Sequence, residues 1–178
     1  MKGIYLGSYK AYHPNYDIVY QDINGLRDLG GDMMDIDLYN YDFVIATPPC
    51  NYWSRAAGNR HSQYAINTAH LLPDMIEKLS EYHRPWIVEN VRNDSKFRGL
   101  GLFNYNNVWV FRIGRHTIWT NTWFNHWIPF DYEFTSLNPN NKGSCTDLNK
   151  RSDRQGNENV HRIIEKWLMT IHTQNQLE

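Results

Sequence analysis

A cysteine and a glutamate each follow a short apolar run, and both residue types can do chemistry. Cys50 comes after the run 42–46 (Asp-Phe-Val-Ile-Ala) and the turn residues 47–49 (Thr-Pro-Pro), whereas Glu89 comes after 86–88 (Trp-Ile-Val). Because two consecutive prolines cannot donate ladder hydrogen bonds, they end the strand and place the thiol at the rim of a sheet. A thiolate there is a strong nucleophile, and a nearby carboxyl group can donate a proton or a hydrogen bond.

Both residues also have a purely structural interpretation. A cysteine behind an apolar strand is often a small, inert core residue, and a glutamate at a strand end can be held by hydrogen bonds alone. The other cysteine, Cys145, is far from Cys50 in the sequence, so a disulfide framework is not indicated. We therefore expect a reduced, cytoplasmic setting in which Cys50 keeps its reactivity.

The elements around these residues alternate between strands and helical segments. Four apolar or β-rich runs are predicted as strands: 3–9, 16–20, 42–46 and 86–88. The apolar spacing of 63–83 predicts a helix, in which Pro73 introduces a kink or a division into two helices. This alternation predicts an α/β fold with a mostly parallel sheet, flanking helices and a ligand crevice at the carboxyl ends of the strands.

The C-terminal part of the chain has a different character. The segment 103–149 is rich in Asn, Trp, Tyr and Phe, and it predicts strands or a hairpin followed by irregular structure. Its aromatic residues Trp109, Phe111 and Trp119 alternate like strand residues that face a core. From Asn159 the apolar spacing predicts a final amphipathic helix that frays in the last few residues.

The motifs that end or begin at the two reactive residues resemble those of a known enzyme family. Pro-Pro-Cys, ending at Cys50, and Glu-Asn-Val, beginning at Glu89, resemble in the same order the two catalytic signatures of DNA cytosine-5 methyltransferases, including compact phage-type members. The resemblance implies a Rossmann-like core that uses S-adenosyl-L-methionine. Cys50 would attack C6 of cytosine, Glu89 would hold N3 and the exocyclic amine, and C5 would accept the methyl group. The target base would be flipped out of the duplex, and no metal is required.

The same resemblance implies residues for binding the cofactor. Asp22 matches the acid that holds the ribose hydroxyls, and Asp32 in Gly-Asp-Met matches the acid that meets the adenine amino group. Gly7 is the one glycine that remains of the family's glycine-rich first loop, which is a departure from the family pattern. Pro48 belongs to the same implied site. Asn157, in a Gly-Asn-x-x-Val motif, would pack back against it.

The resemblance also implies residues that face DNA, although the family's arginine motif is not intact. Arg115 is preferred to Arg112 as the arginine that contacts the catalytic glutamate or the flipped nucleotide. Four residues near the reactive pair are predicted to bind DNA or border its pocket: Trp53, Arg55, Arg60 and Asn90. The chain 1–178 is predicted to be one compact domain in which 103–150 is a reduced target-recognition insert. A homodimer or a helper subunit would supply further DNA contacts.

Composition and charge say less about function than the motifs do. The 178 residues suffice for one domain with its own core, and no apolar run approaches the ~18 residues of a membrane span. The net charge is −1, with 3 Lys and Arg against 7 Asp and Glu in residues 1–50 and 15 against 12 in the remainder. This distribution is compatible with an acidic first part that binds a small molecule and a mildly basic remainder that faces a polyanion. A random distribution of surface charge explains the counts equally well.

Three other functions are compatible with the same residues. The reduced glycine loop is compatible with a degenerate relative that binds nucleic acid or a partner without methylating. The short recognition segment is compatible with methylation of a free cytosine nucleotide. A nucleophile–base pair formed by Cys50 and His61 would instead indicate a hydrolase, although the 8 histidines show no metal-ligand spacing with the cysteines.

Overall fold

Six strands and four helices are described in this protein. The computed structural model describes residues 1–8, 11–54, 60–113, 116–125 and 151–176, and in the last of these ranges it describes side chains from residue 160 onward. The elements in chain order are β1 (Lys2–Leu6), β2 (Asp17–Gln21), β3 (Phe43–Ala46), α1 (Gln63–Asn67), α2 (Leu71–Ser80), β4 (Trp86–Val91), α3 (Asp94–Gly99), β5 (Trp109–Ile113), β6 (His116–Thr120) and α4 (Arg151–Asn175).

The strands form one six-stranded mixed sheet in the order β2-β1-β3-β4-β6-β5. β2, β1, β3 and β4 are parallel neighbours, whereas β6 is antiparallel to both β4 and β5. The predicted α/β class with a mostly parallel sheet is therefore confirmed, and the hairpin predicted within 103–149 joins that sheet as β5 and β6. Because the chain passes from β1 to β2 on one side and returns to β3 on the other, the strand order reverses between β1 and β3.

Helices cover both faces of the sheet, which explains why β3 is buried throughout. Val44 and Ala46 pack with the apolar face of α2, and Phe43 and Ile45 pack with α4. A parallel strand buried on both faces reads as a continuous apolar run rather than an alternating one, as 43–46 does. Lys2 and Asp17, at the starts of β1 and β2, are exposed.

The segment 63–83 forms two helices, which was one of the two predicted alternatives, but the division lies at 68–70 rather than at Pro73. Pro73 lies in the first turn of α2, where its missing N–H costs little. Ser62 caps α1 by accepting a hydrogen bond from the Ala65 N–H. α4 begins at Arg151, eight residues before the predicted start, and continues to Asn175. In the described parts of the chain, no helix has both the length and the apolar character needed to cross a membrane.

β4 extends further than its apolar run predicted. The run 86–88 was expected to end before Glu89, but the strand continues to Val91. The reason is the antiparallel partner β6, which pairs with the added residues, Glu89 with Ile118 and Val91 with His116. Glu89 is therefore a residue inside a strand that projects past the end of β3.

We expect Gly3→Ala to destabilise the fold by about 1–3 kcal/mol, because core overpacking has costs of this size. Gly3 is the register partner of Phe43, and a Cβ on Gly3 would lie 2.1 Å from a carbon of the Phe43 ring. That ring is fully buried against Trp167 and His172 on α4, so it has little room to move. Urea unfolding measures the difference in the free energy of unfolding.

Gly99→Ala is the matched control. A Cβ at Gly99, the last residue of α3, would meet no atom within 4 Å, so this substitution should leave the free energy of unfolding unchanged or raise it by up to about 1 kcal/mol. Equal effects of the two substitutions would contradict the packing of β1 against β3 described above.

Candidate functional site

The register of the central strands brings the predicted reactive residues to one edge of the sheet. Leu6 pairs with Ala46, and Ala46 pairs with Val88, so Gly7, Thr47 and Glu89 follow at the same level. This edge is the carboxyl end of the parallel strands at the reversal between β1 and β3, where open α/β sheets bind their ligands.

Two buried asparagines hold the loop that carries Cys50. The Asn90 side chain donates a hydrogen bond to the Pro48 carbonyl (2.8 Å), and Asn93 donates to the Trp53 carbonyl (2.7 Å). Between these contacts the chain turns, because the Trp53 N–H donates to the Cys50 carbonyl at 3.0 Å. Cys50 itself is exposed. The prolines therefore do present the thiol at the rim, and Asn93, which the sequence reasoning missed, holds the far side of the loop.

Glu89 is paired with a histidine that was also not predicted. Nδ1 of His116 donates to Glu89 Oε1 at 2.6 Å, and the two side chains are 17% and 13% exposed. Both lie on the sheet face that α4 covers, because Glu89 follows Ile87 by two residues and His116 precedes Ile118 by two. Only the residue type and its place next to the Arg115 motif could have indicated His116 in the sequence.

The structure does not show either of the two predicted arginines in contact with Glu89. Arg115 lies outside those residues. Arg112, the alternative, forms an ion pair with Asp94 (Nε to Oδ2, 3.4 Å), and its guanidinium lies over the ring of Phe103. His116 is thus the described basic side chain that contacts the glutamate.

A buried tyrosine connects the level of Glu89 to the loop after β1. Burial raises the pKa of Tyr5 well above its ordinary value, and the negative charge of Glu89 raises it further. The phenol therefore stays protonated, and it is hydrogen-bonded to the Thr47 side chain. The Thr47 hydroxyl donates to the Gly7 carbonyl at 3.0 Å. This chain of hydrogen bonds links β1 to β3 at the point where their ladder ends.

Gly7 is needed at its position for two reasons. Its φ is +74°, a conformation that residues with a Cβ rarely adopt, and a Cβ there would lie 2.6 Å from the Thr47 carbonyl oxygen. The Gly7 N–H donates to Oε1 of Gln21 (2.9 Å), and Nε2 of Gln21 donates to the Gly31 carbonyl (2.6 Å). Gln21 is 1% exposed, so its buried amide joins the two loops predicted to hold a cofactor. Sequence reasoning missed Gln21, which stands beside the predicted Asp22.

The two predicted acids lie at this same edge but differ in burial. Asp22 follows β2, is 5% exposed and accepts a hydrogen bond from the Asn24 N–H (3.3 Å). Asp32 is exposed, and its Oδ1 accepts from the Met34 N–H at 2.9 Å. Pro48 is buried in the chain after β3. Asn157 lies within α4, in the part whose side chains are not described.

The residues predicted to face DNA differ in their exposure to solvent. Trp53 is 3% exposed and packs against Phe97 of α3, so its indole is a core side chain that a base cannot reach. Asn90 is likewise buried, and its side chain holds the backbone of the Cys50 loop. Arg60 is exposed and contacts His61, whereas Arg55 lies outside the described residues.

The aromatic residues of the hairpin only partly follow the predicted core pattern. Phe111 and Trp119 are buried, but Trp109 is 48% exposed and packs edge-on against the exposed Trp123. The difference arises because β5 is the edge strand of the sheet, so the side chain near its start has no further strand beside it. The remainder of the predicted insert, 126–150, lies outside the described residues.

The chain was also compared with known proteins. No protein-family model matches it, and no curated protein sequence is significantly similar to it. The interpretation of the site therefore depends on the short motifs at Cys50 and Glu89 and on the geometry that surrounds them.

We expect Asn90→Ala to loosen the Cys50 loop and to cost about 1–3 kcal/mol of stability, since it leaves the Pro48 carbonyl without its donor. Hydrogen exchange measures the loosening directly, because the amides of Trp53 and Ser54 are both bonded to the Cys50 carbonyl. Their exchange should accelerate. The exposed Asn106 provides the control, Asn106→Ala, in which neither amide should change. Unaltered exchange in Asn90→Ala would contradict the role given to this side chain.

Proposed function

We propose that this protein is an S-adenosyl-L-methionine-dependent methyltransferase that transfers a methyl group to C5 of cytosine in DNA through a covalent bond to Cys50. The observation that carries the proposal is the hydrogen bond from Asn90 to the Pro48 carbonyl. It joins the strand that carries Glu89 to the loop that presents Cys50, at the edge of the sheet where the strand order reverses. A Rossmann-like methyltransferase core is part of this proposal.

The residues at this edge fit the proposed cofactor. Gly7 lets the loop after β1 pass close to Thr47 with a φ of +74°, since a Cβ there would lie 2.6 Å from the Thr47 carbonyl oxygen. Asp22 and Asp32 offer carboxylates suited to hydroxyl and amino groups of a nucleoside, and Gln21 holds the loops between them. When bound, S-adenosyl-L-methionine supplies a methyl group that is already activated on a sulfonium.

Cys50 and Glu89 divide the remaining chemistry between them. The Cys50 thiolate donates an electron pair to C6 of the cytosine, so a C–S bond forms as the C5–C6 double bond is lost. Glu89 donates a proton or hydrogen bond to N3, where negative charge would otherwise develop, and C5 becomes the nucleophile. After C5 is methylated, its proton passes to a base, the double bond re-forms and Cys50 leaves as thiolate.

His116 orients the glutamate for this role. Its ring contacts Oε1 of Glu89, which leaves Oε2 as the oxygen that can turn to the substrate. A carboxyl group held by one partner loses fewer conformations when the base binds, and preorganised groups of this kind lower the barrier to reaction.

A basic surface lies beside the Cys50 loop. Arg92, Arg98 and Arg112 lie around Asp94, and the fourth member, Lys96, is on the same helix, α3. Lys96 Nζ stands 3.9 Å from the centre of the Tyr52 ring, two residues from Cys50 in the chain. Cations in this position can neutralise phosphates on either side of a flipped nucleotide.

The proposal predicts a stable covalent complex with duplex DNA that contains 5-fluorocytosine when S-adenosyl-L-methionine is present. Fluorine at C5 cannot leave as a proton does, so Cys50 stays attached after methyl transfer. Denaturing electrophoresis should show the complex for the native chain and none for Cys50→Ser. Glu89→Gln should form it more slowly by roughly 100-fold or more, which is the usual size of general-acid effects.

Glu77→Gln is the matched control, because Glu77 is an exposed glutamate on α2 away from the strand ends. It should form the complex at the native rate. The proposal fails if no complex forms on duplexes of varied sequence and calorimetry detects no binding of S-adenosyl-L-methionine. Methylation of free cytosine nucleotide but not of DNA would assign the smaller substrate, and DNA binding without any complex would indicate the degenerate relative.

We further expect Arg98→Ala to weaken DNA binding and to reduce the slope of log Kd against log salt concentration by about 1, the effect of one lost phosphate contact. Arg98 is exposed beside Asp94 on α3. Fluorescence anisotropy over a salt series measures the slope. Arg162→Ala, which removes an exposed arginine from α4, should leave the slope unchanged. Equal slopes for the two variants would exclude the α3 surface from DNA binding.

A further inference from the structure

Two histidines and a glutamate meet outside the candidate methyltransferase site. His13 lies in the connection between β1 and β2, and His161 and Glu165 lie one turn apart on α4. One potential ligand atom from each of the three residues lies within 4.8 Å of the others. The cluster unites segments almost 150 residues apart, so no local spacing in the sequence indicated it.

The contacts within the cluster centre on one carboxylate oxygen. Oε1 of Glu165 contacts Nδ1 of His13 and lies 3.7 Å from Nε2 of His161. The two imidazole rings are stacked, with centroids 4.5 Å apart and an interplanar angle of 8°. Zinc binds nitrogen and oxygen at ~2.0–2.2 Å in the plane of the imidazole ring, so one of the two rings must rotate out of the stack when an ion binds all three donor atoms.

The His13 side chain is fully buried, and its Nδ1 is the atom that contacts Glu165. Its Nε2 is buried without a hydrogen-bond partner among the described residues. A buried ring with one unpartnered nitrogen is rare, because buried polar atoms are almost always bonded.

We propose that His13, His161 and Glu165 bind one divalent cation of the zinc type. Two imidazoles and a carboxylate are a donor set that suits Zn²⁺ and Co²⁺, and a water would complete a tetrahedron. Because His161 is 47% exposed, an ion can reach the cluster from solvent. The bound ion would link the β1–β2 connection to α4, and this role does not depend on the proposed methylation.

Isothermal titration of the full-length chain with Zn²⁺ at pH 7.5 tests the proposal. We expect one site whose affinity falls at least tenfold in His161→Ala, a substitution at a partly exposed position that should leave the fold intact. His70→Ala is the matched control, since His70 is exposed next to α2 and makes no side-chain capping bond. It should bind as the native chain does. Absence of binding to the native chain, or equal affinity in His161→Ala, would overturn the proposal.

Two further measurements separate this site from binding at cysteine. Co²⁺ should give a tetrahedral visible spectrum without a sulfur-to-metal charge-transfer band in the near ultraviolet, and such a band would place the ion on a thiolate instead. Zn²⁺ should also raise the Tm of the native chain and of His70→Ala but not that of His161→Ala, because an ion that binds only the folded state stabilises it. A rise of equal size in His161→Ala would count against the cluster.

Discussion

Parallel pairing of β1, β3 and β4 determines where Gly7, Cys50 and Glu89 lie in this protein. In a parallel sheet all carboxyl ends meet at one edge, so residues that are 40 positions apart in the chain arrive at the same level. The short β3 stops at Ala46, whereas β4 continues to Val91 because β6 pairs with it. Because of this difference in strand length, Glu89 lies within a strand and is mostly buried, whereas Cys50 lies in an exposed loop beyond the end of β3.

Buried polar groups hold the loops at these strand ends in one arrangement. Asn90 and Asn93 satisfy loop carbonyls on one side of the sheet, and Tyr5, Thr47 and Gln21 satisfy groups around Gly7. Each of these groups would be costly to leave without a partner away from water, so a change in one contact forces changes in its neighbours. Side-chain hydrogen bonds therefore hold the loops together beyond the end of the β ladder.

The two faces of the sheet carry different kinds of side chain at this edge. On the face covered by α2 and α3, the buried aromatic rings of Trp53 and Phe97 pack against each other and attach the Cys50 loop to the core. On the face covered by α4, Glu89 and His116 form their pair, and His13 meets Glu165 further along the helix. α4 thus closes the core and brings the last described segment of the chain next to the first connection. This arrangement explains why polar clusters on this face depend on distant parts of the sequence.

Local residue patterns determined much of the framework. The apolar runs predicted β3 and the core of β4, the double proline predicted an exposed Cys50, and helical spacing predicted α2 and the main part of α4. These features depend on backbone constraints and on burial periods that act within a few residues. The antiparallel placement of β6, the burial of Trp53 and the partners Gln21, Asn93 and His116 were decided only by the tertiary structure. Each of them depends on which distant segment lies alongside, and neither composition nor local spacing carries that information.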